Sequence, residues 1–283
     1  MPALIECVPN FSEGRDPRVI ESLAGSIQRT PGVRLLDHSA DVDHNRSVFT
    51  FAGTPEGVAA AALAAAGVAV ERIDLHRHSG VHPRIGAVDV VPFVPLSGAS
   101  IAECAELSRN FGEMLWDRLR VPVFLYEEAA AHADRRGLEQ VRRAASAGAP
   151  PDIGEGRHPT AGACAVGARE FLIAWNIWLE TNDLALAKRI ARAVRFSSGG
   201  FPGVKALGLP LGSTGTVQVS INSTDFRATP LDVVFKRVES LARQSGVEVR
   251  GSELIGMIPR AAICHDLRWL NLTPGRVLEA AMT

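Results

Sequence analysis

Several residue types are scarce in this chain of 283 residues, and each scarcity excludes a class of protein. The cysteines number four, lie far apart and form no C-x-x-C pair. A disulfide framework or a cysteine-based zinc site is therefore not expected, and a reducing compartment fits best. The formal net charge is only −1, so no global field favours nucleic acid or an anionic membrane.

Long hydrophobic stretches are also missing. The longest apolar run, residues 57–70, is rich in alanine and too short to span a bilayer, so it predicts a tightly packed helix. Residues 1–10 lack the basic region and apolar core of a secretory signal. We therefore expect a cytoplasmic protein with neither a membrane nor a nucleic-acid partner.

The composition that remains is that of a well-packed globular protein. Hydrophobic residues make up 46% of the chain and charged residues 22%, which excludes disorder. The length suits two ordinary domains or one large one.

The first part of the chain predicts the order β-α-β-β-α-β, which is the ferredoxin-like split unit. Asp16 can cap the first helix, and Thr54 followed by Pro55 opens the second. The strands are expected at 3–8, 33–36, 47–51 and 87–94, and the helices at 18–29 and 55–72. A further helix at 100–119 and a strand at 121–126 follow, and residues 127–162 predict a helix and a long glycine-containing loop.

The same order recurs towards the end of the chain. Strands are expected at 171–179, 204–207, 216–221 and 247–250, and helices at 183–195 and 230–244. Thr229 and Pro230 open the last helix as Thr54 and Pro55 open the earlier one. We predict an α+β fold of two duplicated ferredoxin-like α/β sandwich subdomains, residues 1–168 and 169–283, packed together. The groove between them is the default ligand site.

The segment 76–95 carries the densest chemistry. It places His76, His78, His82 and two arginines in a turn before a predicted buried strand. Imidazole transfers protons near neutral pH, and guanidinium binds carboxylates. Because Gly80 and Pro83 restrain the backbone around His82 and Arg84 follows closely, we interpret His82 as a general acid/base beside an anion-binding arginine.

Two other interpretations of these histidines stay open. The three imidazoles, with Asp74 or Asp89, could bind a metal, although Gly80 and Pro83 interrupt any helix that would align them. A metal-dependent amidohydrolase is therefore an alternative. His76 and His78 could equally be structural.

Three further polar segments are candidates. Residues 37–46 contain a D-x-D pattern without the glycine and glutamate of a calcium loop, and a solvated loop is an equal interpretation. Their proximity to His82 does not follow from the element order. The glycines of 154–162 would allow close approach to a planar or anionic ligand, or simply form a linker. Lys205 could meet a substrate carboxylate or be an ordinary edge-strand lysine.

Taken together, these segments resemble the formiminotransferase family, the folate-dependent glutamate formimidoyltransferases. The resemblance spans about residues 3–263. It is carried by residues 6–14, 45–46, 78–93, 121–123, 167–169, 203–208, 218–220 and 251–256.

The resemblance implies a function. A formimino group would move from N-formimidoyl-glutamate to N5 of tetrahydrofolate, with release of glutamate in histidine degradation. Tetrahydrofolate would be a co-substrate, no metal would be needed, and the protein would be a homodimer. His82 would be the catalytic histidine. Substrate and folate binding would fall on Asn10, Asn45, Arg46, Arg84, Asp89, Gly154, Gly156, His158, Gly162 and Lys205.

The sequence departs from the family in two places. Animal members carry an acidic residue two positions after the one that matches Asp37, where this chain has Ser39. Either Asp41 or His38 replaces it, or the acidic residue is dispensable. The 154–162 loop is one residue shorter. The chain also stops before any cyclodeaminase domain, so we expect a separate protein to deaminate the product. A non-catalytic folate-binding module is the third interpretation, and the sequence does not separate formimino from formyl donors or glutamate from another amino-acid carrier.

Overall fold

The computed structural model describes residues 3–263, 268–270, 272 and 274–282. The chain divides into two units, Met1–Glu170 and Phe171–Thr283. Within the described residues, no helix is both long enough and apolar enough to cross a bilayer.

The first unit begins with the six elements that the sequence predicts and then extends them. Its strands are β1 (Leu4–Cys7), β2 (Asn10–Phe11), β3 (Val33–Asp41), β4 (Arg46–Gly53), β5 (Val88–Ser97), β6 (Val123–Glu127) and β7 (Cys164–Ala168). Its helices are α1 (Pro17–Gln28), α2 (Pro55–Arg72), α3 (Ile101–Leu119) and α4 (Leu138–Ser146).

The helix starts follow from local chemistry. The Asp16 side chain accepts a hydrogen bond from the Arg18 N–H, and Thr54 accepts one from Gly57, each just before a proline in the first turn. Ser100 and Glu103 form a reciprocal capping box at the start of α3. These caps satisfy N–H groups that would otherwise lack partners.

The first sheet has a ferredoxin-like centre. β1 and its continuation β2 lie between β4 and β5 and are antiparallel to both, while β3 pairs with the outer edge of β4. β7 then adds parallel to β5, and β6 adds parallel to β7. The main core packs α1, α2 and α3 against one face of this sheet. A smaller core includes α4. Its strand residues alternate along the strands with those of the main core, so this second core lies on the other face of the sheet.

Two features of the first unit differ from what the sequence indicates. Residues 37–41 are not a solvated loop, because they pair with β4 as the second half of β3, and only 42–45 form the turn. Tertiary pairing here overrides the weak strand propensity of aspartate, serine and alanine. β7 was not predicted, since it is short and contains a glycine, although all five of its residues are buried.

The second unit repeats the ferredoxin-like frame. It consists of β8 (Ile173–Leu179), α5 (Leu184–Val194), β9 (Val204–Leu211), β10 (Thr216–Ser223), α6 (Leu231–Gln244) and β11 (Val249–Ile255), and α7 (Leu278–Met282) follows. The antiparallel order β11-β8-β10-β9 matches that of β5, β1, β4 and β3. The predicted duplication is therefore confirmed. β9 and β11 extend further than predicted, because ladder pairing carries them through polar and glycine residues.

Candidate active site

The topology of the first unit brings two distant segments together. β4 and β5 are both antiparallel to β1, so they start at the same end of the sheet. The 42–45 turn precedes β4, and residues 73–87 precede β5. The Val81 N–H lies 3.2 Å from the Asp43 carbonyl oxygen, and Asn45 Nδ2 lies 3.0 Å from the Ser79 carbonyl oxygen.

Asn45 ties three chain segments at this end. Its Oδ1 accepts the Gly14 N–H at 2.9 Å while its Nδ2 donates to Ser79, and its own φ is +47°. Asparagine tolerates this left-handed conformation better than most residues. A Cβ at Gly80 would lie 2.3 Å from the His44 carbonyl oxygen, so glycine is required for this close approach. The loops are therefore held in one arrangement.

His82 is the best-defined functional group of the site. Its Nδ1 lies 2.8 Å from the Pro83 carbonyl oxygen, and its Nε2 lies 2.7 Å from Arg46 Nη1. A carbonyl only accepts and a guanidinium only donates, so Nδ1 carries the hydrogen and Nε2 presents its lone pair. The imidazole is therefore neutral and half-buried, with its basic nitrogen directed at Arg46.

The surrounding charges favour this neutral form. Burial, the guanidinium groups of Arg46 and Arg142, and the His44 ring lower the pKa of His82 well below its usual value. Burial, with a contribution from Arg142, lowers the pKa of Arg46 to about 10, so that group remains charged at neutral pH. The site thus combines a neutral base with fixed positive charge.

Arg84 and His78 brace the loop around His82. Arg84 Nη2 donates to the carbonyl oxygens of His82 at 2.7 Å and His44 at 3.2 Å, and the Arg84 guanidinium also contacts the His78 ring. His78 Nε2 lies 2.9 Å from the Asn45 carbonyl oxygen. A role for Arg84 in anion binding stays a prediction.

His44 is a second imidazole beside the first. It is buried, its ring centroid lies 5.6 Å from that of His82, and its Nδ1 lies 3.7 Å from Asp41 Oδ2. Burial lowers the pKa of His44. Ser39 lies on β3 opposite Val48, and Asp41, at the end of the same strand, lies against His44. A role for Asp41 in place of the acidic family residue stays a prediction.

Asp89 and Arg142 form a nearly buried ion pair. Arg142 Nη2 lies 2.5 Å from Asp89 Oδ2, and Asp89 Oδ1 accepts the Ile85 N–H at 2.7 Å. Sequence reasoning named Asp89 but missed Arg142. No sequence signal marks Arg142, because it lies on the polar helix α4 with no recognisable motif around it.

The 154–162 glycine segment lies against the segment that carries His82. The Ala87 N–H donates to the Ala161 carbonyl oxygen at 2.9 Å, and the Ala163 N–H donates to the Ile85 carbonyl oxygen at 3.0 Å. Residues 154–157 are exposed, and Gly154, Gly156 and Gly162 all have positive φ. His158 Nδ1 accepts the Ala161 N–H at 3.0 Å, which closes the turn, and burial lowers the pKa of His158. An exposed, backbone-rich loop thus borders the histidine site.

The remaining predicted residues lie elsewhere. Asn10 is on β2, where its Nδ2 donates to the Val8 carbonyl oxygen at 3.1 Å, and Lys205 is on β9 of the second unit. His76 is exposed and bonded to Asp74 at 2.9 Å, so it does not join His78 and His82. In the part of the chain that the structure describes, no three His, Cys, Asp or Glu side chains are grouped as metal ligands.

The fold and this group of side chains define the class: a two-unit α+β protein of duplicated ferredoxin-like frames, with imidazole and guanidinium groups together at one end of the first sheet. The N-terminal subdomain of the formiminotransferase domain matches residues 4–169, and the formiminotransferase domain that follows matches 174–270. This chain belongs to the formiminotransferase family.

Similar proteins support this assignment. A glutamate formimidoyltransferase of Streptococcus pyogenes is 41% identical, with 93% of this chain and 91% of that protein covered. One from Thermoplasma acidophilum is 38% identical, with 99% and 97% covered. A formimidoyltransferase-cyclodeaminase of Gallus gallus is 44% identical over 93% of this chain and 51% of that protein.

Proposed function

We propose that this chain is an enzyme that transfers a formimino group from N-formimidoyl-glutamate to N5 of tetrahydrofolate and releases glutamate. The names of the Streptococcus and Thermoplasma relatives support this activity. The structural observation that carries the mechanism is the neutral His82, whose Nε2 lone pair faces Arg46 at 2.7 Å.

The reaction requires one proton to move between two nitrogens. N5 of tetrahydrofolate attacks the amidine carbon of the donor and forms a tetrahedral intermediate. The N5 proton must leave, and the departing glutamate nitrogen must gain a proton before its bond to carbon breaks. His82 Nε2 takes the first proton and returns it to the leaving nitrogen, which is worth roughly 10²–10⁴-fold in rate.

Arg46 controls the basicity of His82. In the free protein the guanidinium donates to Nε2 and keeps the imidazole neutral. A substrate carboxylate that binds Arg46 would offset this positive charge and raise the pKa of His82 towards neutrality, where proton transfer is most efficient. Substrate binding would thus activate the base.

The co-substrate has a suitable loop beside His82. The exposed glycines of 154–157 allow the backbone to approach a planar ring closely, so we assign tetrahydrofolate to this loop. Holding two substrates in reactive geometry contributes on the order of several kcal/mol to lowering the barrier. None of these steps requires a metal.

The wider setting follows from the same proposal. We assign the protein to the cytoplasm and to histidine degradation, as a homodimer. The product, 5-formimidoyltetrahydrofolate, would next be deaminated.

Turnover with the two substrates tests the function. Purified protein, tetrahydrofolate and N-formimidoyl-glutamate should release glutamate and yield methenyl-folate absorbance after acidification. His82→Gln should lose roughly 10²–10⁴-fold in kcat. His76→Gln, on the same loop but exposed, is the matched control and should keep full activity.

Three outcomes would contradict the proposal. Wild-type protein that releases no glutamate would refute the transferase function, and unchanged turnover in His82→Gln would refute the role of the imidazole. N-formyl-glutamate in place of the formimino donor tests the transferred group, and equal rates with both donors would refute the assigned donor class.

A further inference from the structure

We propose that Arg142 binds substrate: together with Arg46, it takes the α-carboxylate of the donor amino acid. This inference rests on the proposed transferase function. It assigns a specificity-determining role to a residue of α4, a helix outside the ferredoxin-like frame of the first unit.

Arg142 lies on α4 and pairs with Asp89 of β5. Its guanidinium bonds Asp89 Oδ2 at 2.5 Å, and the two side chains are 18% and 2% exposed. Asp89 is held in turn by the Ile85 N–H at the start of β5. One end of the Arg142 guanidinium is therefore anchored, which fixes the position of the rest.

The groups nearest His82 are cationic. The guanidinium groups of Arg46 and Arg142 act directly on His82. The carboxylates of Asp41 and Asp43 act on His44, and that of Asp89 acts on Arg46. Asp41 is already committed to the 42–45 turn, where its Oδ1 accepts the N–H groups of Asp43 at 2.9 Å and His44 at 2.8 Å. The two guanidinium groups beside a neutral imidazole favour an anionic ligand.

Arg142 also has an unused donor. Its Nε is buried and has no hydrogen-bond partner among the residues that the structure describes. Buried polar groups in folded proteins almost always have partners, and a guanidinium edge binds a carboxylate through two parallel hydrogen bonds. The guanidinium is thus not fully satisfied by the protein, and its side chain is 18% exposed, so a ligand carboxylate can reach its open part.

The chemistry of the substrates selects one carboxylate. In N-formimidoyl-glutamate, the α-carboxylate is attached to the carbon that bears the reacting nitrogen, so it must lie close to His82. The γ-carboxylate lies farther along the chain. The carboxylates of tetrahydrofolate are separated from N5 by the benzoyl group. Arg46 contacts His82 directly, and Arg142 lies near enough to lower the pKa of both.

Steady-state kinetics with matched variants test the assignment, with glutamate release as the assay. Arg142→Gln should raise the KM for the donor about 10- to 100-fold and leave the KM for tetrahydrofolate within about twofold, because a charged hydrogen bond to one substrate is lost. Arg142→Lys should raise the KM for the donor by a smaller factor, since lysine keeps the charge but lacks the planar guanidinium fork. Arg143→Gln, exposed on the same helix, is the control and should match wild type.

Donor analogues identify the carboxylate. N-formimidoyl-4-aminobutyrate lacks the α-carboxylate, so wild type should use it poorly and Arg142→Gln should not lower its rate further. N-formimidoyl-2-aminobutyrate lacks only the γ-carboxylate, and Arg142→Gln should raise the KM for this analogue by the same factor as the KM for the natural donor.

The alternative is a purely structural ion pair with Asp89. A lower Tm in Arg142→Gln with an unchanged donor KM would establish that alternative and overturn the assignment. If Arg142→Gln does not fold, Arg142→Lys with an unchanged donor KM overturns it equally. Wild-type protein that releases no glutamate would refute the proposed function and this inference with it, whereas active wild type with unaltered variants would refute the inference alone.

Discussion

The two units of this chain share one frame and differ in the loops at one end of it. In the first unit, the 42–45 turn and residues 73–87 precede the parallel strands β4 and β5. In the second, the corresponding loops before β10 and β11 are the short segments 212–215 and 245–248. Seven of the eight histidines lie in the first unit.

The longer segment before β5 places additional polar side chains at one end of the first sheet. Parallel strands that begin at one end of a sheet place their preceding loops side by side in both units. Among the described residues, the segment of the first unit is long enough to carry His78, His82 and Arg84 beside the turn that precedes Arg46, and its counterpart 245–248 is not. The turns 42–45 and 212–215 have the same length, so the difference between the units lies in the segment before β5.

The largest expected effect compares the first residues of the equivalent strands β4 and β10. Arg46→Gln should lower kcat/KM for the donor about 100-fold, because both the carboxylate contact and the charge beside His82 are lost. Removing that positive charge also raises the pKa of His82, so the acidic limb of the pH–rate profile should move to higher pH.

Thr216→Ala is the matched change in the second unit, and it should leave turnover unchanged. The pH dependence of kcat/KM and an NMR titration of His82 measure the shift. An acidic limb that stays in place in Arg46→Gln would contradict the control of His82 by Arg46.

The next effect concerns the central strands. Glu6 on β1 and Asn176 on β8 each lie between two core-facing residues, but only Glu6 titrates. Burial raises the pKa of Glu6 to about 7, against the lowering effect of Arg169. The contribution of Glu6 to the free energy of unfolding is therefore largest below pH about 4.5, where the carboxyl is protonated. It falls by about 3 kcal/mol as pH rises through about 7.

Glu6→Gln removes this loss, since an amide does not ionise. The variant should gain stability relative to wild type as pH rises, up to about 3 kcal/mol at pH near 8. Urea denaturation at pH about 5 and about 8 measures the difference. A stability difference that does not change with pH would contradict the raised pKa.

A smaller effect compares the two hairpin turns. Asn45 and Gly215 occupy left-handed positions, with φ of +47° and +67°. Asn45→Gly should cost about 1–3 kcal/mol through its two lost hydrogen bonds, and Asn45→Ala about 1 kcal/mol more through strain. Gly215→Asn should be nearly neutral. Equal losses in the glycine and alanine variants would show that the left-handed backbone at Asn45 carries no cost.

The smallest effect is the response to acid. The pKa of buried His44 is lowered in the folded protein, so the unfolded chain binds more protons below pH about 6.5 and stability falls there. His44→Asn should reduce this acid sensitivity. Denaturation midpoints at pH about 7.5 and about 5.5 measure it, and an equal decline in variant and wild type would contradict the assignment to His44.

Local pattern accounts for much of what could be predicted. The caps at Asp16 and Thr54 and the alternating apolar runs located the helices and most strands. The strand extension at 37–41 and all of β7 were missed, because their stability comes from pairing with neighbouring strands rather than from their own residues.

By itself, the sequence determined the duplicated frame and the family, and it singled out the segment around His82 as the candidate site, because each rests on residues that are close along the chain. Only the tertiary structure decided which groups surround that imidazole. Arg46 and Arg142 come from other elements, and their contacts with His82 and Asp89 depend on how strands and helices pair across the sheet. Periodicity and spacing report local burial, and such long-range pairing lies beyond them.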